Sequence, residues 1–219
     1  MAYHGPGKFD PAVGLVPAAT PAKTTFTQVF GNWLCDMAEH DPLLVGITPA
    51  MREGSGMVEF HKRFPERYYD VGIAEQHAVT GAAGMAMGGL RPIVALYSTF
   101  MSRACDQVVY DVALHRLPVI FCLDRAGITG DDGPSHHGIY DMALLCKVPG
   151  MRVLAPSSAQ ELQQMLADAV SLVEDGPIAI RYPKGAARQV DADDVGSGLT
   201  ARRLRQGDGR LAILAVGKM

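Results

Sequence analysis

Residues 68–89, YYDVGIAEQHAVTGAAGMAMGG, decide the fold. Tyr68, Tyr69 and Val71 read as the end of a buried strand, being residues that suit a pleated surface. Gly72 then permits a tight turn. A run of small residues follows, with Glu75 and His77 near its start. Ala78, Ala82, Ala83 and Ala86 keep one flank of that run narrow, so a backbone or a flat ligand can come close. Gly81 and Gly84 each cost a helix about 1 kcal/mol, which calls for a packing or ligand reason. Glu75 suits a helix start simply as a charge. It also stands between a strand end and a nonpolar helix, where catalytic groups sit in parallel sheets.

The same alternation continues on both sides. Upstream, Thr24 or Thr25 can cap a helix carrying Phe26, Phe30, Trp33 and Met37 on one face. A short strand at 43–47 and a loop at 48–56 follow. Downstream, strands are predicted at 92–97, 119–123, 151–154 and 177–181. Helices are predicted from Ser98 to about His115, at 140–146, and behind a capping box at Ser158–Glu161, with Leu162, Leu166, Ala169 and Val173 on its inner face. Strands that are apolar throughout and alternate with helices predict an α/β fold. Its sheet is open and mostly parallel, with helices on both faces.

Composition sets outer limits. Hydrophobic residues make up 48% of the 219, enough for a substantial core. A net charge of −3 with mixed signs argues against a nucleic-acid or anionic-membrane surface. Cys35, Cys105, Cys122 and Cys146 lack metal-ligand spacing and read as reduced core residues. No segment resembles a signal peptide or a membrane span, so a cytoplasmic protein is expected.

Residues 1–22, rich in Gly and Pro, read as an extended lead-in. The layered body is expected over 23–184 and a polar linker over 185–210. Residues 211–219 read as the first strand of a further domain, so the chain looks cut soon after that domain begins. Gly207, Asp208 and Gly209 could open a metal and diphosphate site, but no later oxygen ligand follows. His136 and His137 beside Asp131 and Asp132 likewise lack a third nitrogen or sulfur ligand, so no metal site is expected here.

Glu75, Tyr97, Arg103, Arg125, Asp132, His136 and Arg181 all fall at or just beyond the carboxyl ends of predicted strands. Those ends share one sheet edge, where ligands bind. Three arginines there suit an anionic small molecule. The plainer alternative is that they pair with Asp124, Asp131 or Asp132.

DVGIAEQHAVTGAAGMAMGG, LYSTFMSRACDQV, LDRAGITGDDGPSHHG and IRYPKG resemble the pyrimidine-binding domain of bacterial 1-deoxy-D-xylulose-5-phosphate synthases. These are transketolase-like enzymes that depend on thiamine diphosphate. The likeness spans roughly residues 8–184. A lone Glu at a strand-to-helix turn would fit the wider thiamine superfamily, including transketolase and the beta chains of 2-oxoacid dehydrogenases. The YSTF…R…DQ and DRAG…DG…H segments together single out the synthases. A noncatalytic domain of the same fold would need none of Glu75, Phe100 and Arg103.

The resemblance implies roles. Glu75 would hydrogen-bond N1′ of the cofactor's aminopyrimidine, and Phe100 would stack on that ring. Arg103 would lie near the pyruvate carboxylate. Tyr97, Arg125 and Arg181 would surround the phosphate of D-glyceraldehyde 3-phosphate, with Asp132 and His136 near the reacting carbonyl and hydroxyl. His137 is a variable neighbour. The family implies a cytoplasmic homodimer that condenses the two substrates with loss of carbon dioxide, serving isoprenoid and thiamine synthesis. The Mg2+ and diphosphate site belongs to the family's N-terminal domain. These 219 residues alone are therefore expected to fold but not to catalyse.

Overall fold

The structure is a computed structural model that describes residues 9–15, 23–196, 203 and 205–218. Within the expected lead-in, residues 1–8 and 16–22 lie outside the described residues. Its described part forms a small antiparallel hairpin, β1 (Phe9–Asp10) with β2 (Gly14–Leu15).

Helix α1 (Phe26–His40) starts where Thr25 caps it. Thr25 Oγ1 accepts from Gln28 N at 3.2 Å, and Gln28 Oε1 accepts from Thr25 N at 2.9 Å, so two otherwise unpaired donors are satisfied reciprocally. Then come β3 (Leu44–Thr48), α2 (Val58–Arg63), β4 (Tyr68–Asp70), α3 (Glu75–Met87) and β5 (Arg91–Tyr97). A helical segment follows as a 3-10 stretch Ser98–Ala104, α4 (Cys105–Gln107) and a π stretch Val108–Ala113. The order ends with β6 (Ile120–Asp124), α5 (Asp141–Leu145), β7 (Arg152–Leu154), α6 (Ala159–Leu172) and β8 (Ile178–Arg181).

Six strands, all parallel, form one sheet in the order β4-β3-β5-β6-β8-β7. Successive residues along a strand serve opposite cores, because strand side chains alternate faces. Ile93, Ala95, Ile120, Cys122, Ile178 and Ile180 pack on one side with α1, α2 and α6. Val94, Leu96, Phe121, Leu123 and Ala179 pack on the other with α3, the 98–113 segment and Leu145 of α5. This is the expected open sheet covered on both faces.

Several expectations need correcting. β4 is a sheet edge with Tyr69 exposed, not the end of a buried strand, because it pairs with β3 alone. The helix after β5 is not α-helical throughout. It opens in 3-10 form and closes in π form, with Leu114 N bonded to Val109 O. At α6, Ser158 Oγ accepts from Glu161 N at 3.1 Å, but Glu161 Oε2 turns to Ser157 N and Oγ, so the box is not reciprocal. Cys35 and Cys122 are core residues, whereas Cys105 is half-buried and Cys146 is exposed.

The boundary of the body also moves. Residues read as the start of a linker are held to it: Ala187 N bonds Thr24 O, Ala159 N bonds Arg188 O, and Ala187 is buried. The predicted strand at 211–216 has no regular structure, and Leu211, Ile213 and Leu214 are exposed. A single strand pairs with nothing unless a sheet edge lies beside it.

Candidate active site

The strands run parallel, but the order in which they are added reverses between β3 and β5: β3 is followed by β4 on one side and β5 by β6 on the other. β3 leaves its carboxyl end toward α2 on one face, while β5 leaves toward the 98–113 segment on the other. Such a switch point opens a crevice at the strand ends. Gly72 makes the turn before α3 with a φ of 68°, in the left-handed region that glycine accepts without a side-chain clash. Glu75, the first residue of α3, is thereby set at that edge and is 2% exposed.

Arg103 Nη1 donates to Glu75 Oε1 at 2.7 Å. Among the described residues, no donor reaches Glu75 Oε2. Arg103 also lies over the Phe100 ring, with Cζ 4.7 Å from its centroid. The 3-10 stretch explains this pairing, because residues i and i+3 eclipse in that geometry. Phe100 stacks in turn on Tyr97, centroids 5.9 Å apart and planes 10° apart. The His136 ring meets both edge-on, at 5.6 Å from Phe100 and 6.2 Å from Tyr97. Glu75, Tyr97, Phe100, Arg103 and His136 thus form one group.

Arg125 joins it from the end of β6. Its Cζ sits 3.8 Å from the Tyr97 ring centroid, and its Nη1 donates to Gly54 O at 3.0 Å. Asp124 Oδ1 lies 3.3 Å from Nη1, and Asp132 Oδ2 lies 3.4 Å from Nε without a well-aligned hydrogen bond. Lys184 Nζ bridges Asp132 at 2.5 Å and Asp131 at 3.0 Å. Its hydrogen bond holds the Asp132 carboxyl below the usual carboxylate range. Burial pushes the Tyr97 hydroxyl up, partly opposed by Arg125.

Arg181 is held differently. Its Nε donates to Asp141 Oδ2 at 2.7 Å, and Nη2 reaches Gly138 O at 3.4 Å. The plainer alternative, arginines paired with acidic neighbours, is thus half right. Arg125 faces Asp124 and Asp132, but Arg181 pairs with Asp141, and each arginine keeps N–H groups that no described residue uses. His137 Nδ1 turns to Thr129, 3.1 Å from its N and 3.0 Å from its Oγ1, and so serves the loop.

Sequence reasoning did not single out Asp141, Lys184 or Gly54. Asp141 was hidden as an acidic residue at a helix start, a common dipole contact. Gly54 packs against Tyr97, and a Cβ there would collide with the Tyr97 hydroxyl. Gly54→Ala is therefore expected to lower stability by about 1–3 kcal/mol and to displace Tyr97. Urea unfolding together with near-ultraviolet circular dichroism checks this; unchanged values for both would contradict it.

Asp124 is fully buried, accepting from Thr27 Oγ1 at 2.6 Å and from Arg125 N at 2.7 Å. Burial outweighs these contacts and pushes its carboxyl up to about 6, from an ordinary value of 3.8. A raised carboxylate binds more protons folded than unfolded between those values. Its contribution to stability is full below about pH 4 and is lost as pH rises through about 6. Asp124→Asn cannot ionise. Its stability relative to the parent chain is expected to improve between pH 4 and 6, by on the order of 2–3 kcal/mol, and to stay level above about pH 7. Thermal unfolding of both proteins across that range tests it; a difference independent of pH would refute it.

The cluster suits a flat heteroaromatic ring. Phe100 is half-buried, and Glu75 is a buried carboxylate whose Oε2 has no hydrogen-bond partner among the described residues. Among the described residues no three His, Cys, Asp or Glu gather to hold a metal ion, and no helix is long and apolar enough to cross a membrane.

The family model "Transketolase, pyrimidine binding domain" matches residues 22–189. The chain belongs to the transketolase pyrimidine-binding domain family. Among members of that family, it is 60% identical over its whole length to 1-deoxy-D-xylulose-5-phosphate synthase of Acidovorax ebreus (strain TPSY), covering 35% of that protein. It is 66% identical over 85% of its length to the synthase of Leptothrix cholodnii (strain ATCC 51168 / LMG 8142 / SP-6), covering 29% of it. The chain therefore spans about a third of the length of these curated relatives. A solved split-gene transketolase, described as an inactive beta4 tetramer, superposes with a TM-score of 0.68 at 26% identity, over 79% of this chain and 56% of that one. Transketolase from Leishmania mexicana gives 0.68 at 21% identity, over 78% of this chain and 27% of that one, a likeness of fold.

Proposed function

We propose that this chain is the pyrimidine-binding part of a 1-deoxy-D-xylulose-5-phosphate synthase. Such an enzyme joins pyruvate to D-glyceraldehyde 3-phosphate, releasing carbon dioxide and 1-deoxy-D-xylulose 5-phosphate. The observation that carries the reading is the buried Glu75 carboxylate linked to the Phe100 ring through Arg103, with one oxygen taken by Arg103 and the other open. Identity of 60% across the whole chain favours a synthase over other thiamine enzymes of the fold.

Thiamine diphosphate, when bound, supplies the electron sink that lets a 2-oxoacid lose carbon dioxide. Glu75 would hold a proton at N1′ of its aminopyrimidine, and Phe100 would stack on that ring. Arg103, with its side chain 47% exposed, keeps N–H groups for the pyruvate carboxylate. Arg125 and Arg181, with Tyr97 between strand ends, would take the acceptor's phosphate through N–H groups not already bonded. Asp132 and His136 would orient the acceptor's carbonyl and hydroxyl, lowering the entropy cost of bringing two substrates together. The diphosphate and Mg2+ are assigned to sequence outside these 219 residues, and the enzyme is read as a cytoplasmic homodimer.

The test uses the full-length enzyme, meaning this chain continued to the length of its relatives. Supplied with thiamine diphosphate, Mg2+, pyruvate and D-glyceraldehyde 3-phosphate, it is expected to release carbon dioxide and form 1-deoxy-D-xylulose 5-phosphate in equal amounts. Ketol transfer between sugar phosphates without decarboxylation would make it a transketolase instead.

A further inference from the structure

The Arg181 guanidinium is aimed by a buried acid on another element. Asp141 is the first residue of α5, and its side chain is 1% exposed. Its two oxygens do two jobs. Oδ1 accepts from Met142 N at 2.8 Å, and Oδ2 accepts from Arg181 Nε at 2.7 Å. Nη2 of Arg181 leans on Gly138 O, and Gly138 itself packs on Ser98 and on the Arg125 carbonyl, where a Cβ would clash. With Nε bound and Nη2 steadied, rotation about the last side-chain bonds is blocked. Nη1 and one hydrogen of Nη2 stay unused by any described residue, next to the loop that carries Asp132 and His136.

We propose that Asp141 is a positioning residue that fixes the Arg181 fork for the phosphate of the acceptor substrate. This rests on the reading of the site as a synthase. A carboxylate is required, because Met142 N–H and Arg181 Nε–H approach different oxygens, and an amide puts an NH2 donor at one of those two positions. Asp141→Asn leaves one donor facing the amide nitrogen and frees Arg181 to swing. Arg181→Lys keeps the charge but has no Nε to bind, so it also loses the aim.

Separate saturation curves for the two substrates in the full-length enzyme decide the matter. Asp141→Asn and Arg181→Lys are each expected to raise KM for D-glyceraldehyde 3-phosphate about tenfold or more, with KM for pyruvate within about twofold. In the Arg181→Ala background, Asp141→Asn is expected to add less than about twofold, because its effect runs through the arginine. Equal loss for both substrates, or full additivity with Arg181→Ala, would overturn the proposal. If Asp141→Asn does not fold, Arg181→Lys decides alone: a normal KM for the phosphorylated substrate overturns it. A parent enzyme that makes no pentulose phosphate would overturn the synthase reading and this proposal with it. An active parent with a silent Asp141→Asn would overturn only this one.

Discussion

Glu75→Gln in the full-length enzyme is expected to reduce turnover by on the order of 10² or more while leaving the fold in place. Gln keeps the size and one acceptor oxygen, so the Arg103 contact at 2.7 Å can survive. What it loses is the acid–base function at the open oxygen. A positioned proton donor or acceptor is worth about 10²–10⁴ in rate, and Glu75 is tied to the Phe100 ring through Arg103, which donates to the carboxylate and lies over the ring. The structural cost is modest, because Arg103 is half exposed and water can solvate it. Steady-state turnover and thermal unfolding, read together, separate the two effects. Near-normal turnover would remove Glu75 from its role.

Arg125→Ala is expected to act on one substrate. kcat/KM for D-glyceraldehyde 3-phosphate should fall by on the order of 10–10², with KM for pyruvate little changed. A charge-assisted contact is worth about 1.5–3 kcal/mol, which is that range of rate. Stability should fall too. The substitution leaves buried Asp124 and half-buried Asp132 facing no guanidinium, and removes the cation stacked 3.8 Å from the Tyr97 ring centroid. Saturation curves for each substrate read the first effect and denaturant unfolding the second. A defect confined to pyruvate would take Arg125 out of the phosphate role.

Much of this architecture was legible before the structure. The helix from Thr25 announced itself through Phe26, Phe30 and Trp33 at helical spacing, and all three are buried. Strands β5, β6 and β8 read as continuous apolar runs because they lie inside the sheet, covered on both faces. Glu75 stood out because a charge sits where the apolar pattern resumes. Helix α2 was missed, since six residues are too few to show a period. The 3-10 opening after β5 was missed as well: STFMSRA carries no glycine, proline or other local signal that separates a 3-10 from an α-helical start.

The pairings that aim the arginines were the least legible. Arg181 meets Asp141 across 40 residues, and Lys184 meets Asp132 across 52, distances that only the folded sheet edge closes. Sequence offered Asp124, Asp131 and Asp132 as partners for the arginines, but Lys184 takes Asp131 and shares Asp132 with Arg125, while Arg181 meets none of the three. Local charge patterns show that an acid and a base are present, not which one reaches which.

Glu75, held by Arg103, is expected to meet the aminopyrimidine ring of thiamine diphosphate over Phe100. A crystal structure of the full-length enzyme with thiamine diphosphate and Mg2+ measures this directly. The predicted result is a ring stacked on Phe100, with its N1′ within hydrogen-bonding distance of Glu75 Oε2. A cofactor ring bound away from Phe100, with Glu75 touching only Arg103, would contradict it.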